Sequence, residues 1–503
     1  MRWILNIATS YLKFLINIVV VFFMTPYIVS MVGIDDFGLW TLIFAVIGIF
    51  GLMDMGFATA GVKYVAETFG SEDHDRRNHI LGTLFTVYSG IGLVCMGVVA
   101  ITAGPAGGWF DLEPGQQGDF AQLVWLLGIA LALSFPASVF KSALTGAGRM
   151  DLVNGIGLLL IIVQAGLTIA LLEAGWGLMA LAIAAAVNLL GQSVLLIPFT
   201  YRLIPRFSIA PGGFRRDMVK DLLSFSMYAF IANVAVLIIL RIDPVVIKLF
   251  LPLSAVAIYA IASRVSEYTY LLNKQFSNAL MPLVSQSHGA GNDAAILSVL
   301  LDGTRFLMGV AIPFIGLLFF YTPEIIDLWM GPDFADSAPL LRILLLAALF
   351  STVQLNAANV LGMTGHHRLV AGAMIGSALL NLGLSIVLIQ VFELPGVAYA
   401  TLIAAFIVEM GIIVPRACAS RGISYGRFIK EGLLPALPAI VPMLAVALAL
   451  AAWITPTGLW NVFWQGGLAG ITFVIAFLFT GVKADERRMV LAKIKARRGG
   501  GSA

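Results

Sequence analysis

Charged residues are scarce in this chain of 503 residues, where Asp, Glu, Lys and Arg make up only 11%. About a quarter would be ordinary for a soluble domain. Hydrophobic residues make up 60%, and many apolar runs reach the roughly 18 residues that a membrane-spanning helix needs. The short alternating segments of a membrane β-barrel are not seen. The composition therefore predicts an all-α polytopic membrane protein.

Residues and motifs that carry chemistry are also few. The two cysteines, Cys95 and Cys418, lie far apart in apolar segments, so we expect small buried side chains and no disulfide. No G-x-x-x-x-G-K-[ST] motif occurs, which excludes a P-loop ATPase. The histidines lack metal-ligand spacing, and no catalytic triad or carboxylate pair is recognisable. We expect no enzyme, no cofactor, no metal site and no nucleic-acid partner.

The apolar runs predict fourteen spans, and the basic residues between them predict their orientation. The spans are 5–32, 37–66, 80–103, 120–142, 152–172, 177–200, 221–250, 255–284, 300–322, 338–361, 369–391, 395–415, 433–453 and 461–481. With the N-terminus inside, the cytoplasmic segments hold 23 of the 30 Lys and Arg residues and the outer loops hold none. We therefore expect a multi-pass protein of the cell inner membrane with both termini in the cytoplasm.

The two halves of the sequence resemble each other. TPYIVSMVGIDDFGLW (25–40) is similar to DPVVIKLFLPLSAVAIY (243–259), and the stretch 144–172 is similar to 361–389, at nearly one offset. Two parallel six-helix repeats followed by two extra spans explain this, an arrangement typical of alternating-access transporters. The expected parts are an N-terminal lobe (1–200), a linker (201–220), a C-terminal lobe (221–416), two extra spans (417–481) and a basic tail (482–503).

Several charges lie inside the predicted spans, most visibly in the stretch RIDPVVIK (241–248). Arg241 and Arg264 are each about 11 residues from the turn near Pro252, so at about 1.5 Å per residue they lie at one depth. Mutual pairing of Asp243 with Arg264, and of Lys13 with Asp54, is one explanation. Charges within a membrane are costly and otherwise face a cavity.

Pairing leaves positive charge over, because five cations accompany three carboxylates in these spans. A positive cavity suits an anionic substrate, and the fork of Arg suits a phosphate group. The cavity candidates are Arg241, Arg264, Lys248, Lys13 and Lys274.

The carboxylates within spans are candidates for proton or cation coupling or for helix pairing. They are Asp54, Asp243, Glu267 and Glu409. Two prolines, Pro26 and Pro244, recur in both halves, and each frees a backbone carbonyl. We expect these prolines to act as hinges, with plain packing as the alternative.

Three stretches resemble the polysaccharide transporter branch of the MOP flippase superfamily. They are residues 27–67, with Asp54-Met55-Gly56, the turn LTGAGRMD (144–151) and residues 242–265. The resemblance implies a V-shaped, two-lobed MATE-like bundle that an ion gradient drives, with protons or sodium as the coupling ion. It implies export of polyprenyl-diphosphate-linked oligosaccharides to the outer leaflet for O-antigen, capsule or exopolysaccharide. Lipid-linked oligosaccharide, membrane lipid and polysaccharide polymerase machinery are the implied partners.

Other functions remain open at this point. A lipid II flippase also has fourteen spans and a cationic cavity, although the N-terminal stretch here differs from that family. A multidrug exporter of the same superfamily usually has twelve spans and prefers cationic drugs, which suits a positive cavity poorly. A membrane scaffold for polysaccharide assembly would have no need of charges within its spans.

Overall fold

The fold is helical throughout the part of the chain that the computed structural model describes, residues 2–70, 72–209, 214–483 and 485–488. The helices are α1 (Arg2–Val32), α2 (Ile34–Gly51), α3 (Phe57–Gly70), α4 (His74–Trp109), α5 (Pro114–Gly146), α6 (Met150–Glu173), α7 (Leu178–Leu203), α8 (Arg216–Arg241), α9 (Asp243–Phe250), α10 (Leu253–Asn278), α11 (Met281–Gly289), α12 (Asp293–Ser298), α13 (Thr304–Phe320), α14 (Thr322–Met330), α15 (Ser337–Val353), α16 (Leu355–Met363), α17 (His367–Phe392), α18 (Leu394–Ala405), α19 (Val414–Ser420), α20 (Tyr425–Phe428), α21 (Ile440–Trp453) and α22 (Leu459–Thr480). The all-α prediction is confirmed for these residues.

Twelve helical stretches in the described residues are long and apolar enough to cross a membrane. They do not include α8 or α10, the helices of the expected spans 221–250 and 255–284. Each of these two helices has 26 residues, and α10 carries Arg264, Glu267 and Lys274. The count of fourteen spans therefore stays a prediction.

By its internal contacts the chain divides into an N-terminal unit, Met1–Ala257, and a C-terminal unit, Ile258–Ala503. The core of the N-terminal unit is formed by buried apolar side chains, among them Leu39, Leu84 and Val139 of α2, α4 and α5. Residues 210–213 of the expected linker and residues 489–503 of the expected basic tail lie outside the described residues.

The expected continuous span 37–66 is interrupted, which corrects the sequence-based prediction. Helix α2 ends at Gly51, a 3-10 turn covers Leu52–Asp54, and α3 starts at Phe57. Met55 has φ 49° and Gly56 has φ 76°, so two successive residues adopt the left-handed region. A residue other than glycine is rarely found there, because its Cβ crowds the following carbonyl.

The expected span 221–250 is also interrupted, at Ile242 between α8 and α9. Pro244 has no backbone N–H to donate and its ring crowds the preceding turn, so a continuous helix is disfavoured here. Arg241 is therefore the last residue of α8, and Lys248 belongs to α9. Pro26, by contrast, lies within the uninterrupted helix α1.

Helices α1 and α6 run parallel in the N-terminal unit, in one register. The Asn6 side-chain Nδ2 donates to the Gly148 carbonyl at 3.1 Å, and Asn154 Nδ2 donates to Ser10 Oγ at 2.8 Å. At the other end of α1, Tyr27 Oη donates to Glu173 at 2.9 Å. The residue separation stays between 142 and 146 along about six turns.

Matching turns precede α6 and α17. Gly148 has φ 73° and Gly365 has φ 88°, two residues before the first residue of each helix. These are the two glycines that the sequence similarity between 144–172 and 361–389 aligns. A left-handed glycine in the same place in both stretches explains why glycine is present in each.

A cluster of ion pairs in the C-terminal unit fastens the segment after α22. Arg305 is only 3% exposed, and its guanidinium donates to both oxygens of Glu486 at 2.6 and 2.8 Å. Lys483 Nζ lies 2.9 Å from Asp302 Oδ1, and Arg305 lies 3.2 Å from the same carboxylate. Asp302 belongs to a π-helical segment, Val299–Gly303, that precedes α13.

Glu486→Ala should lower the free energy of unfolding by about 2 kcal/mol, because hydrogen bonds to a buried charge are lost. The measurement is the melting temperature of the purified protein in detergent. Glu431→Ala is the matched control, since its pair with Arg427 is 41–49% exposed and should contribute less than about 1 kcal/mol. Equal shifts for the two variants would contradict a stabilising role for the cluster.

Candidate functional site

Asp54 lies at the interruption between α2 and α3, where its carboxylate has defined partners. Tyr88 Oη of α4 donates to Asp54 Oδ1 at 2.6 Å, and the Ala58 amide lies 3.5 Å from Oδ2. Tyr88 is fully buried, with its ring between Phe57 and Phe135 at centroid distances of 6.2 Å. The carboxylate thus lies next to Met55, a non-glycine residue in the left-handed region, and such residues are frequent at functional sites.

The expected pairing of Lys13 with Asp54 is wrong, since no ion pair between them occurs in the described residues. The Asp54 carboxylate accepts a hydrogen bond from Tyr88 instead. The Lys13 side chain, on α1, lies near α6 and α7. A Cβ on Gly157 would come within 2.6 Å of Lys13 Nζ and within 3.3 Å of Gln192 Nε2. The sequence depths alone could not show this, because they say nothing about which helices are neighbours.

The stretch 241–248 packs along α2 within the N-terminal unit. The side chain of Arg241 is exposed, and its Cγ would lie 3.8 Å from a Cβ on Gly48. A Cβ on Gly38 would meet the Leu253 backbone oxygen at 2.1 Å, so glycine is required for this close approach. Asp243 is buried and Lys248 is half-buried. The charged residues of this stretch therefore flank the second helix interruption.

In the C-terminal unit, α10 packs on α15 and α16 through buried polar contacts. Ser266 Oγ donates to the Leu344 carbonyl at 3.0 Å, and Ser277 Oγ donates to Asn356 Oδ1 at 2.6 Å. At 100° per residue, Arg264 lies on the opposite side of α10 from this seam, and Glu267 and Lys274 lie about a quarter turn from it. Arg264 and Glu267 are half-buried and Lys274 is exposed, with its ammonium 5.8 Å from the Tyr270 ring centroid.

Glu409 lies in a π-helical segment, Phe406–Ile413, between α18 and α19. Its Oε2 atom is buried and has no hydrogen-bond partner among the described residues. The Glu409 carboxylate interacts with the side chains of Ser351 on α15 and Tyr270 on α10. π-helical turns inside α-helices are rare in general, and those that occur are often found at functional sites. A carboxylate in this position can exchange a proton or hold a cation.

Each unit thus has one carboxylate at an irregular helix segment, Asp54 in the N-terminal unit and Glu409 in the C-terminal unit. Sequence reasoning found both carboxylates but missed Tyr88, the hydrogen-bond donor to Asp54. A tyrosine in an otherwise apolar span was the available signal, because a buried phenol needs a hydrogen-bond partner. In chemical terms the arrangement can bind an anion and take up a cation or proton, and we see no group positioned for covalent catalysis in the described residues.

Comparison with known proteins identifies similar chains. A family model described as "Polysaccharide biosynthesis protein" matches residues 29–339. The uncharacterized membrane protein EpsK of Bacillus subtilis is 22% identical over 351 residues, which is 68% of each chain. The probable low-salt glycan biosynthesis flippase Agl15 of Haloferax volcanii is 29% identical over 183 residues, 36% of this chain and 39% of Agl15.

Solved structures share the fold. The lipid II flippase MurJ in an inward closed conformation has a TM-score of 0.72 at 16% identity, covering 94% of this chain and 98% of MurJ. An inward-facing multidrug resistance MATE family transporter of the MOP superfamily has a TM-score of 0.63 at 15% identity, covering 78% of this chain and 95% of the transporter.

Tyr88→Phe should lower the free energy of unfolding by about 2 kcal/mol, because the half-buried carboxylate of Asp54 loses the hydrogen bond from a buried phenol. Tyr27→Phe is the matched control, since its hydrogen bond to Glu173 is solvent-exposed and of similar length. Thermal unfolding in detergent measures both variants. A Tyr88→Phe protein as stable as the control variant would show that Asp54 does not depend on this bond.

Proposed function

Because this chain belongs to the polysaccharide biosynthesis protein family, we propose that it is a flippase for polyprenyl-diphosphate-linked oligosaccharides. The resemblance to the polysaccharide transporter branch of the MOP flippase superfamily, drawn from the sequence, is confirmed by the family match over residues 29–339. The proposed substrate crosses from the inner to the outer leaflet for O-antigen, capsule or exopolysaccharide synthesis. The chemistry is transport, so no enzymatic step is needed.

The observation that carries this proposal is the exposed Arg241 at the interruption between α8 and α9. Transporters bind substrates where membrane helices are discontinuous. A diphosphate is the charge that must cross the membrane with this substrate, and a guanidinium binds two of its oxygens at once. Lys248, Arg264 and Lys274 add positive charge on α9 and α10, and Lys13 on α1 is a further cation for an anionic group of the substrate.

We further propose the arrangement that the sequence predicts for the whole molecule. It has fourteen spans in two parallel six-helix repeats, with both termini on the cytoplasmic side of the inner membrane. The left-handed glycines Gly148 and Gly365, at equivalent positions before α6 and α17, support the repeat. Pro244 at the α8–α9 interruption supports a hinge there. Pairing of Asp243 with Arg264, a hinge at Pro26 and polysaccharide polymerase partners remain predictions.

Ion coupling is assigned in this proposal to Asp54 and Glu409. Asp54 lies at a left-handed backbone interruption, and Glu409 has a buried oxygen without a hydrogen-bond partner in the described part of the chain. Either group can lose or gain a cation as its surroundings rearrange. Glu267 shares α10 with the proposed cations and is a further candidate.

Deletion of the gene in its host tests the function directly. Mass spectrometry of lipid-linked sugars should show a polyprenyl-diphosphate oligosaccharide that accumulates on the cytoplasmic side of the membrane. An unchanged lipid pool together with altered sensitivity to amphiphilic cations would contradict the proposal in favour of a drug exporter. Accumulation of lipid II would contradict it in favour of a lipid II flippase.

Arg241→Ala and Arg264→Ala should each abolish export while the protein is still expressed, because the diphosphate loses a bidentate partner. Arg241→Lys should restore export only in part, since an ammonium keeps the charge without the fork. Export is measured as surface polysaccharide in the complemented deletion strain. Arg427→Ala is the control, because Arg427 is 49% exposed and paired with Glu431. Normal export by both alanine variants would refute the cavity assignment.

Glu409→Gln should uncouple export from the ion gradient, because an amide cannot release a proton or attract a cation. Proteoliposomes with and without an imposed pH or sodium gradient measure this. The native protein should flip faster with the gradient, and the variant should show one rate in both conditions. A variant that still responds to the gradient would assign coupling elsewhere.

A further inference from the structure

A recess opens on one side of α1, entirely within the N-terminal unit. It is lined by Ser10, Lys13, Phe14, Asn17 and Ile161 and has a volume of about 350 Å³. One cation, hydroxyl and amide groups and an aromatic ring thus line a space beside α1 and α6 that is open on one side. Binding sites for small molecules combine an apolar lining with a few placed polar groups in the same way.

Lys13 has no acidic partner in this recess. Among the described residues no carboxylate pairs with it, and Lys141 of α5, which carries the same sign, acts on it electrostatically. Gly157 of α6 leaves the space into which the ammonium fits, because any side chain there would meet Nζ at 2.6 Å. An uncompensated ammonium in a membrane segment is costly, and such groups mark binding sites.

Amides continue the polar surface along α6 and α7. Asn154 Nδ2 donates to Ser10 Oγ at 2.8 Å, and Asn188 Nδ2 donates to Gln164 Oε1 at 2.6 Å. Gln192 lies beside Lys13 at Gly157. From Asn154 to Gln164 the strip is about 15 Å long at about 1.5 Å per residue. Amides both donate and accept, which matches the alternating demands of sugar hydroxyls.

We propose that this recess is a subsite for an acidic sugar residue of the lipid-linked glycan. Lys13 would bind the carboxylate, the hydroxyl and amide side chains would bind the ring hydroxyls, and Phe14 would cover the apolar face of the ring. This inference rests on the proposed function and adds a class of glycan, one that carries a uronate.

A phosphate group would meet the same ammonium, so the diphosphate of the substrate is the competing source of negative charge. The composition of the recess favours the sugar. It offers one flexible ammonium and neutral hydrogen-bonding groups, whereas bidentate phosphate binding favours the fork of Arg. The two arginines assigned to the diphosphate lie elsewhere in the sequence, on α8 and α10.

Protection of an introduced cysteine tests the assignment in the full chain, reconstituted in nanodiscs. Ile161→Cys places a thiol in the recess, and the native Cys95 and Cys418 are buried, so the background of alkylation is low. Val19→Cys is the control thiol, because Val19 is 53% exposed on the opposite face of α1. The probes are a glucuronate-containing tetrasaccharide, its carboxyl-reduced neutral counterpart and inorganic pyrophosphate.

The glucuronate probe should slow maleimide modification at position 161 and leave position 19 unchanged. The neutral probe should need about tenfold more sugar for the same protection, which corresponds to about 1.4 kcal/mol. Lys13→Gln should erase the difference between the two sugars. Preferential protection by pyrophosphate, or equal protection by both sugars in the native background, would overturn the assignment, as would no protection at all.

Two neighbouring glycines of α6 give a matched pair of variants for the same assay. Gly157→Ala should abolish the preference for glucuronate, because its methyl group displaces the Lys13 ammonium. Gly155→Ala should keep the preference, since nothing lies within 4 Å of a Cβ at that position. Equal behaviour of the two variants would contradict the role of Lys13.

Failure of this inference is distinguishable from failure of the proposed function. Protection reports binding alone and needs no transport. A deletion strain that accumulates a lipid-linked glycan, together with no protection of the recess, would retain the flippase and reject the subsite. Accumulation of a glycan without any acidic sugar would reject the subsite in the same way.

Discussion

A helix within lipid must satisfy its backbone hydrogen bonds internally, because the bilayer core holds no water to replace them. In this chain the departures from regular α-helix coincide with charge. The turn after α2 carries Asp54, the interruption after α8 lies between Arg241 and Asp243, and one π-helical segment carries Glu409. Backbone groups freed at such places and the adjacent charges can act on the same ligand. In both units, some charged residues within the apolar helices are therefore found where the helix is irregular.

Charge in the apolar body is handled in two different ways. Arg305 is buried against two carboxylates, so its charge is neutralised where it lies and its contribution is structural. Lys13 is held against a glycine and an amide, with a second cation as its charged neighbour. Arg305 is therefore unsuited to bind a further anion, whereas Lys13 can bind one, because only an unneutralised cation gains from an arriving anion. The number of cations in the spans therefore matters less than whether a partner is already in place.

Much of the fold could be predicted from the sequence, for physical reasons that also explain the errors. Helix positions follow from apolar runs, and the repeat aligns Gly148 with Gly365, which both adopt the left-handed region. The interruption at Ile242 had a clear sequence signal in Pro244. It was not predicted because residues 221–250 were assigned to one span by their apolar composition. The interruption at Met55 had a weaker sequence signal. Glycine at position 56 tolerates the left-handed region, but Met55 itself also adopts φ 49°, which its residue type does not indicate.

The candidate site was less predictable than the fold. Lys13 and Asp54 were candidates for an ion pair because they lie a similar number of residues from the turn at Gly33. That count gives only the depth of each side chain in the membrane, which is one of three coordinates. Rotation about the helix axis and the order of neighbours decide the rest, and these depend on packing among helices far apart in sequence. Tyr88 reached Asp54 and Gly157 reached Lys13 through such packing. Neither contact has a local sequence signature.

Glycine in this structure makes room for neighbouring groups as well as allowing unusual backbone angles. At Gly157 the missing side chain is the space that an ammonium fills, and at Gly38 it allows the Leu253 backbone to approach α2. Close helix contacts through small residues are general in membranes, where lipid gives helices no hydrophobic reason to associate. Here the same device determines where a cation can lie. A site of this kind is encoded by the absence of a side chain on one helix as much as by the charge on another.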